Sequence, residues 1–211
     1  MTARPSHPGR PHRPTLFGPV AADAVVGGED PARRVDAAHD TAAALVRHGR
    51  QGDPETAARL VALADEHGLD EVARLWADRP ADTLPGALWR IYAVRAGIQR
   101  DPVGLSEAFE EGRRRAPVDE VVAGVAEPPG PEQVLDLADQ VLAGLFTGDF
   151  AVALERAAAF CRVVATGSAV LADADEDEAR AMLSTRRAAD LARTARQLEV
   201  AAARWRDGTL H

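Results

Sequence analysis

The spacing of apolar residues over positions 131–166 predicts two consecutive helices. In the first half, apolar residues recur every three or four positions, as on one helical face: Val134, Leu137, Ala138, Val141, Leu142, Leu145 and Phe146. The second half begins at Phe150 and is apolar almost all round, which is typical of a helix inside a bundle. Between the halves lies Thr147-Gly148-Asp149, where Gly148 is expected to close the first helix and Asp149 to cap the second. The pattern predicts an antiparallel helical hairpin at the centre of the core.

Helical periodicity also covers most of the chain before this hairpin. It predicts further helices over about 35–48, 53–66, 70–77, 87–100, 102–115 and 117–126. Asp53-Pro54 and Asp101-Pro102 each combine a helix N-cap with a proline in the first turn, whereas residues 79–86 are predicted to be a break. We expect these helices to form an N-terminal helical layer over 34–126, which the proline-rich stretch 127–131 separates from the hairpin.

The segment after the hairpin, residues 168–206, predicts one long C-terminal helix. Gly167-Ser168 is expected to begin the segment, and the helix to run from about Glu176 to Arg206. Its apolar seam consists of Leu191, Ala195, Leu198, Ala202 and Trp205. Because Leu191, Leu198 and Trp205 follow one another at intervals of seven residues, as in a coiled coil, they are candidate interaction residues. The helix either packs along the bundle or protrudes as an arginine-lined arm.

The first 33 residues differ in composition from the rest. They contain six prolines, the pair Gly27-Gly28 and few apolar side chains, so we expect a disordered tail. Through Val20 the tail carries three arginines and no acidic residue. Leu16 and Phe17 form its candidate apolar anchor. The segment is either a loose tail or a short docking segment that becomes ordered on a partner.

Together these patterns predict an all-α protein. We expect a helical bundle of about seven to nine helices around the central αα-hairpin, with a long C-terminal helix and a disordered N-terminal tail. Apolar residues make up 46% of the 211 residues but aromatic residues only 4%. The core is therefore expected to be aliphatic and rich in alanine, which favours helices over sheets. The length predicts a single domain over 34–206.

Charge and residue usage exclude several classes of function. All 25 residues counted as lysine or arginine are arginines, so a Schiff-base lysine and a Walker-type phosphate loop are excluded. The formal net charge of −8 argues against a dedicated nucleic-acid-binding protein. The single cysteine, Cys161, excludes an intramolecular disulfide, and the sequence shows no signal peptide and no membrane-length apolar run. We therefore expect a cytoplasmic protein without membrane association.

The candidate catalytic and metal-binding residues form no known constellation. The six histidines are scattered along the chain. Asp173, Asp175 and Asp177 resemble the start of a calcium loop, but Glu178 stands where such a loop needs glycine. Cys161 lies in the most apolar helix and is expected to be inert core. We predict no metal and no cofactor. Enzymatic activity stays open, although the missing motifs favour a non-enzymatic role.

Two further groups of residues are candidate binding sites. Arg113, Arg114 and Arg115 end a predicted helix, where they either form a solvated cluster that compensates the helix dipole or bind phosphate or an acidic peptide. Trp89 and Tyr92 lie near one side of the helix predicted over 87–100. They either pack into the core or line a small-molecule pocket between that helix and the hairpin.

Residues 84–98 (LPGALWRIYAVRAGI) and 121–167 carry a resemblance to a known group of proteins. They resemble a family of small actinobacterial helical proteins without a characterised function, some of which are labelled "RNA polymerase subunit beta". The resemblance covers roughly residues 35–167. It implies an all-helical fold and an association with transcription, and it carries no catalytic motif and no site residue.

The sequence leaves three hypotheses for function. The first is a non-enzymatic, cytoplasmic, helical protein-interaction module with a protein partner or a second copy of itself as its target. The second is a small-molecule-binding protein, or an enzyme without a clear motif, with its pocket near Trp89 and Tyr92. The third is a nucleic-acid accessory protein that uses arginines of the C-terminal helix, against which the net charge argues.

Overall fold

A computed structural model describes residues 31–51, 69–115, 128–144 and 146–211, and the regular structure of these residues is entirely helical. Its seven helices are α1 (Pro31–Gln51), α2 (Leu69–Trp76), α3 (Leu84–Arg100), α4 (Pro102–Arg115), α5 (Pro131–Leu142), α6 (Phe150–Ala174) and α7 (Glu178–Arg206). The prediction of an all-α helical bundle is confirmed. The helices predicted over 53–66 and 117–126, and residues 1–30 of the predicted tail, lie outside the described residues.

The most extensive helix pair is formed by α6 and α7, which are joined by the short turn Asp175-Glu176-Asp177. Helix α4 packs on another side of α6, while α5 packs mainly against α3. The hairpin at the centre therefore lies one helix later along the chain than predicted. Helix α5 ends at Leu142 rather than near Phe146, because Gly144 adopts a left-handed conformation (φ 67°) and closes the helix. Gly148, which was expected to have this role, does not adopt a positive φ.

Helix α6 continues through Gly167-Ser168, where the sequence predicted a break. Both residues are buried. A Cβ atom added at Gly167 would lie 1.8 Å from the carbonyl oxygen of Ala108 in α4, and one added at Gly112 would lie 1.9 Å from the carbonyl oxygen of Val163 in α6. The two backbones thus touch at these glycines. Gly167 allows close helix packing, and the prediction that Gly167-Ser168 begins the last segment is wrong, because both residues lie inside α6.

Helices α3 and α7 lie side by side and are joined by a set of contacts that we call the α3–α7 clasp. The backbone N–H of Leu84 donates to the carbonyl of His211 at 2.9 Å. Arg90 Nε donates to Gln197 Oε1 at 2.7 Å, and Arg187 Nη2 donates to Asp101 Oδ2 at 2.7 Å. Because these contacts follow α3 from its first residue to its end, the two helices run antiparallel.

Several predicted helix starts differ from the structure by a few residues. Helix α1 begins at Pro31, inside the segment 1–33 predicted as a tail, and Val35 on it is exposed rather than buried. Helix α3 begins at Leu84 instead of about Ala87, because the Thr83 hydroxyl caps it by accepting from the N–H of Gly86. Helices α2 and α4 lie within one residue of their predicted bounds.

Helix α6 is, within the described residues, the helix long and apolar enough to cross a membrane by length and composition. Most of the apolar window that meets this criterion is buried inside the bundle, between α4 and α7. The core helix of a soluble protein has the same properties.

Candidate functional site

The turn between α6 and α7 leads into a stretch of α7 whose side chains are mostly exposed in the described structure. Asp101, at the corner between α3 and α4, contacts Arg187, which is the tenth residue of α7. About 14 Å of α7 therefore precedes this contact. Over this length the side chains are exposed, apart from Ala181 and Ser184, which are half-buried, and burial begins at Ala188. We call residues 173–187 the hairpin tip.

An apolar groove runs along α7 from the hairpin tip toward the clasp. It has a volume of about 360 Å³ and is lined by Ala93, Val94, Leu183, Arg186, Arg187, Asp190, Leu191 and Thr194. We call it the α3–α7 groove. Val94 is buried and Leu191 half-buried, whereas Leu183 at the upper end is 65% exposed. From Leu183 to Thr194 the groove follows α7 for about 17 Å, which is long enough for a short peptide segment.

The stretch of chain that leads into the groove is acidic, although the charged residues that line the groove itself are Arg186, Arg187 and Asp190. Residues 173–190 contain six carboxylates and three arginines, so their net charge is −3. Arg180 is held within the turn by Asp175 at 3.1 Å and by Asp177 at 3.6 Å. Asp173, Glu176 and Glu178 form no ion pair with another described residue. Three negative charges of the hairpin tip therefore remain without a protein counter-ion in the described part of the chain.

Most arginines of α7 are already paired with carboxylates of the same chain. Arg180 pairs as above, and the other four pairs are Arg187–Asp101, Arg193–Asp190, Arg204–Asp82 and Arg206–Glu155. The hydrogen bond from Arg206 lowers the pKa of Glu155, and the one from Arg187 lowers the pKa of Asp101. Five of the seven arginines of the helix are thus neutralised locally. A nucleic-acid backbone would have to compete with these carboxylates, which further disfavours the third hypothesis.

The C-terminal seam is part of the core. Leu198 is fully buried, and Trp205 packs edge-on against Phe150 of α6 with 5.1 Å between ring centroids. The interpretation of Leu198 and Trp205 as interaction residues is therefore wrong, because α7 uses them to pack on α6. Leu191 is half-buried and lines the groove. Leu183 is the exposed apolar residue at the end of the groove. It was not selected from the sequence because it lies one residue off the seven-residue spacing of the seam. Its position off the seam was the sequence signal that could have identified it as exposed.

The arginine cluster at the end of α4 forms ion pairs within its own helix. Arg113 pairs with Glu110 at 3.1 Å, and Arg114 and Arg115 pair with Glu111 at 2.9 Å and 3.3 Å. These pairs match the solvated cluster among the two predicted roles. Leu16 and Phe17 lie outside the described residues.

Trp89 and Tyr92 lie together on α3, as their spacing suggested. Their rings stack with 5.3 Å between centroids, and both are half-buried against the core. The Tyr92 hydroxyl donates to Asp70 Oδ1 at 2.7 Å, and this hydrogen bond raises the pKa of Tyr92. The hydroxyl thus ties α3 to the start of α2. The small-molecule pocket between α3 and the 131–166 segment stays a prediction.

A second concave site lies where α4, the start of α5 and α6 meet. It has a volume of about 600 Å³, and its lining comprises Ser106, Phe109, Glu110, Arg113, Pro128, Gly130, Pro131, Glu132, Gln133 and Arg156. We call it the Arg156 cleft. Arg156 Nε is buried and has no hydrogen-bond partner among the described residues. Arg156 was assigned no role from the sequence, and no local pattern distinguishes it.

Cys161 and the acidic residues offer little reactive chemistry. Cys161 is completely buried, and this burial raises the pKa of its thiol to about 12, so the nucleophilic thiolate does not form near neutral pH. In the described ranges, no three His, Cys, Asp or Glu side chains converge as metal ligands.

Comparison with protein families, with curated proteins and with solved structures gives no match to this chain. Its function is therefore inferred from its own residues.

Proposed function

We propose that this protein is a non-enzymatic, cytoplasmic, helical protein-interaction module that binds its partner in the α3–α7 groove. The observation that carries the proposal is Leu183, which is 65% exposed at the upper end of an apolar groove. Concave apolar surfaces with exposed apolar side chains are the kind of surface that binds a partner segment or a ligand. Leu183 would become buried when a partner segment fills the groove.

The charge around the groove defines the chemistry of the partner. With a net charge of −3 over residues 173–190, the site attracts a segment that combines apolar side chains with basic ones. Arg186 lines the groove and forms no ion pair with another described residue, so its guanidinium is available to carbonyl oxygens of an extended segment. Peptide recognition of this kind places apolar anchors in the groove and charged residues at its rim.

Association with transcription forms part of the same proposal. It derives from the resemblance of residues 84–98 and 121–167 to the helical family described above. RNA polymerase, or a protein bound to it, is the corresponding candidate partner.

The decisive experiment compares two surface variants of the full-length tagged protein, Leu183→Glu and Val200→Glu. Val200 is 50% exposed on the same helix but lies outside the groove, so its variant is a matched control. Affinity capture from native lysate with added nuclease, read by mass spectrometry, should yield one stoichiometric partner with wild type and Val200→Glu. Leu183→Glu should lose it, with an unchanged melting temperature.

A direct binding measurement with purified protein should then agree with the capture experiment. A peptide from the captured partner that contains basic and apolar residues should bind the purified wild-type protein and bind Leu183→Glu at least tenfold more weakly. Retention of the partner by Leu183→Glu, or equal loss in both variants, would rule out the groove as the docking site. Absence of any stoichiometric partner would rule out the interaction role.

The Arg156 cleft favours a second candidate function, binding of a small organic acid. Its volume lies in the range of ligand sites, and a carboxylate could accept the hydrogen bond for which Arg156 Nε has no partner among the described residues. A thermal-shift screen with small mono- and dicarboxylates tests this function. A hit should stabilise wild type and an Arg196→Gln control but not Arg156→Gln. A screen without hits, or equal stabilisation of Arg156→Gln, would exclude the cleft as a carboxylate site.

A further inference from the structure

We propose that residues 3–17 of the same chain dock on the α3–α7 groove and hairpin tip, with Leu16 and Phe17 as the apolar anchor. The docked segment would act as a built-in competitor for the partner. The competition rests on the proposed function, whereas the docking itself is a property of the protein alone and is tested without any partner.

The proposal starts from a repeat in the sequence. A basic residue precedes a proline four times at intervals of three residues: Arg4-Pro5, His7-Pro8, Arg10-Pro11 and Arg13-Pro14. A polyproline II helix has three residues per turn and rises about 3.1 Å per residue. A segment bound in that conformation would present the basic side chains as one row, about 9 Å apart. Leu16 and Phe17 follow the last pair directly.

The segment has the chemistry that the groove requires. Residues 1–20 carry three arginines and no acidic residue, so their formal side-chain charge is +3, against −3 for residues 173–190. Asp173, Glu176 and Glu178 of the hairpin tip form no ion pair with other described residues and are available to the basic row. The apolar anchor thus matches the apolar groove, and the basic row matches the acidic hairpin tip.

The spacing of the two surfaces also agrees. Along α7, Glu178 and Leu183 are five residues apart, which is about 7.5 Å of helix. Arg13 and Leu16 are three residues apart, which is about 9 Å in the polyproline II conformation. Measured along the axis of α7, one short segment can therefore bring Arg13 level with the acidic turn while Leu16 and Phe17 contact Leu183.

The tether is long enough for this contact. Thirteen residues lie between Phe17 and Pro31, the first residue of α1, and these fourteen residue steps span up to about 46 Å. The longest described helix, α7, has 29 residues and is about 44 Å long. A tether of this kind gives an effective concentration in the millimolar range, so even weak intrinsic affinity keeps the groove occupied.

A spin label on the tail measures the docking directly. Because Cys161 is buried, Thr15→Cys provides the reactive thiol for a nitroxide in the full-length protein. Paramagnetic broadening of the 15N-labelled protein should be concentrated on amides of residues 178–194. Replacing Leu16 and Phe17 with alanine should abolish at least four fifths of the broadening, whereas the matched double variant Val25→Ala, Val26→Ala should keep it. Salt at 0.5 M should weaken it, because the contacts with the acidic hairpin tip are electrostatic.

Other outcomes overturn the proposal. Broadening that is absent, spread evenly over the surface, or insensitive to the Leu16 and Phe17 substitutions would show that the tail does not dock in the groove. A mixture of spin-labelled protein without 15N and 15N protein without a spin label tests for contacts between molecules. Broadening of the same amides in this mixture would assign the contact to another molecule. If Leu183→Glu loses the captured partner although the spin-labelled protein shows no broadening, the docking proposal fails and the proposed function stands. Broadening without a capturable partner would leave the docking intact and remove the competition.

Discussion

Asp101 uses its two carboxylate oxygens for two different contacts. Oδ1 accepts from the backbone N–H of Gly104 at 3.0 Å and caps α4, while Oδ2 accepts from Arg187 at 2.7 Å and closes the α3–α7 clasp. The hydrogen bond from Arg187, followed by the one from Gly104, lowers the pKa of Asp101. A carboxyl whose pKa is lower in the folded state stabilises the fold above its unfolded pKa, and this contribution is lost as the pH falls through the folded pKa.

Two substitutions at Asp101 separate these contacts. Asp101→Asn keeps a good N-cap and removes the ion pair, so it should lower the free energy of unfolding at pH 7 by less than about 1 kcal/mol. Asp101→Ala removes both and should cost about 1 kcal/mol more. Urea titrations at pH 7 and pH 3 measure the effects. The wild-type advantage over Asp101→Asn should be smaller at the lower pH; equal stabilities of the two variants would contradict the capping role.

Burial determines the reactivity of Cys161. Its thiol pKa of about 12 keeps it neutral at pH 8, and no solvent reaches it in the folded protein. A thiol reagent such as 5,5′-dithiobis(2-nitrobenzoic acid) should therefore label no cysteine in the native protein at pH 8 and one per chain after unfolding in guanidinium chloride. Rapid labelling of the native protein at the intrinsic rate of a free thiol would contradict the core position.

At the scale of helices, the contact between α4 and α6 depends on glycine. Gly167→Ala and Gly112→Ala each place a methyl group within 2 Å of a backbone oxygen on the facing helix, so the helices must separate. We expect each to lower the free energy of unfolding by roughly 1–3 kcal/mol or more. Gly97→Ala in α3 is the matched control, because nothing lies within 4 Å of an added Cβ there. It should raise stability by about 0.5–1 kcal/mol.

Thermal and urea unfolding of the three variants decide this point. Opposite signs for Gly97→Ala and the two interface variants are expected. If all three glycines behaved alike, helix propensity alone would explain the effects and the close backbone approach would have no energetic weight.

The same glycines explain which helices were predictable. Apolar periodicity located α2, α4 and most of α7, because each has one face in the core. A glycine, however, has the same local appearance whether it ends a helix or allows another backbone to approach. Gly144 ends α5 and Gly167 does not, and the difference arises from Ala108 on α4, far away in sequence. For the same reason the sequence could not show that α6 pairs more closely with α7 than with α5.

At the scale of the whole molecule, α7 changes along its length from an exposed first part to a second part with one face buried in the core. Leu198→Ala removes a fully buried side chain and should lower the free energy of unfolding by about 2–5 kcal/mol. Leu183→Ala alters an exposed one and should change it by no more than about 0.5 kcal/mol. Urea denaturation of both variants measures the contrast. Comparable losses would mean that the hairpin tip is packed in solution.

This change in burial along α7 also limits how much of the candidate site could be predicted from the sequence. The seven-residue spacing of Leu191, Leu198 and Trp205 correctly marked an apolar stripe, but a stripe packs equally well on a partner or on the chain's own α6. In the structure Trp205 packs on Phe150, and burial along α7 begins at Ala188, next to the contact of Arg187 with Asp101. The candidate site begins in the exposed part of α7 at Leu183, which lines the groove together with residues of α3.

The α3–α7 clasp has a consequence for the kinetics of folding. Two of its hydrogen bonds join residues that are 86 and 107 positions apart, whereas the α6–α7 hairpin closes over a three-residue turn. The hairpin can therefore form early, and the clasp only after the intervening chain has been ordered. Contacts that are absent from the transition state affect the unfolding rate and leave the refolding rate nearly unchanged. The clasp should thus determine how long the folded molecule persists rather than how fast it forms.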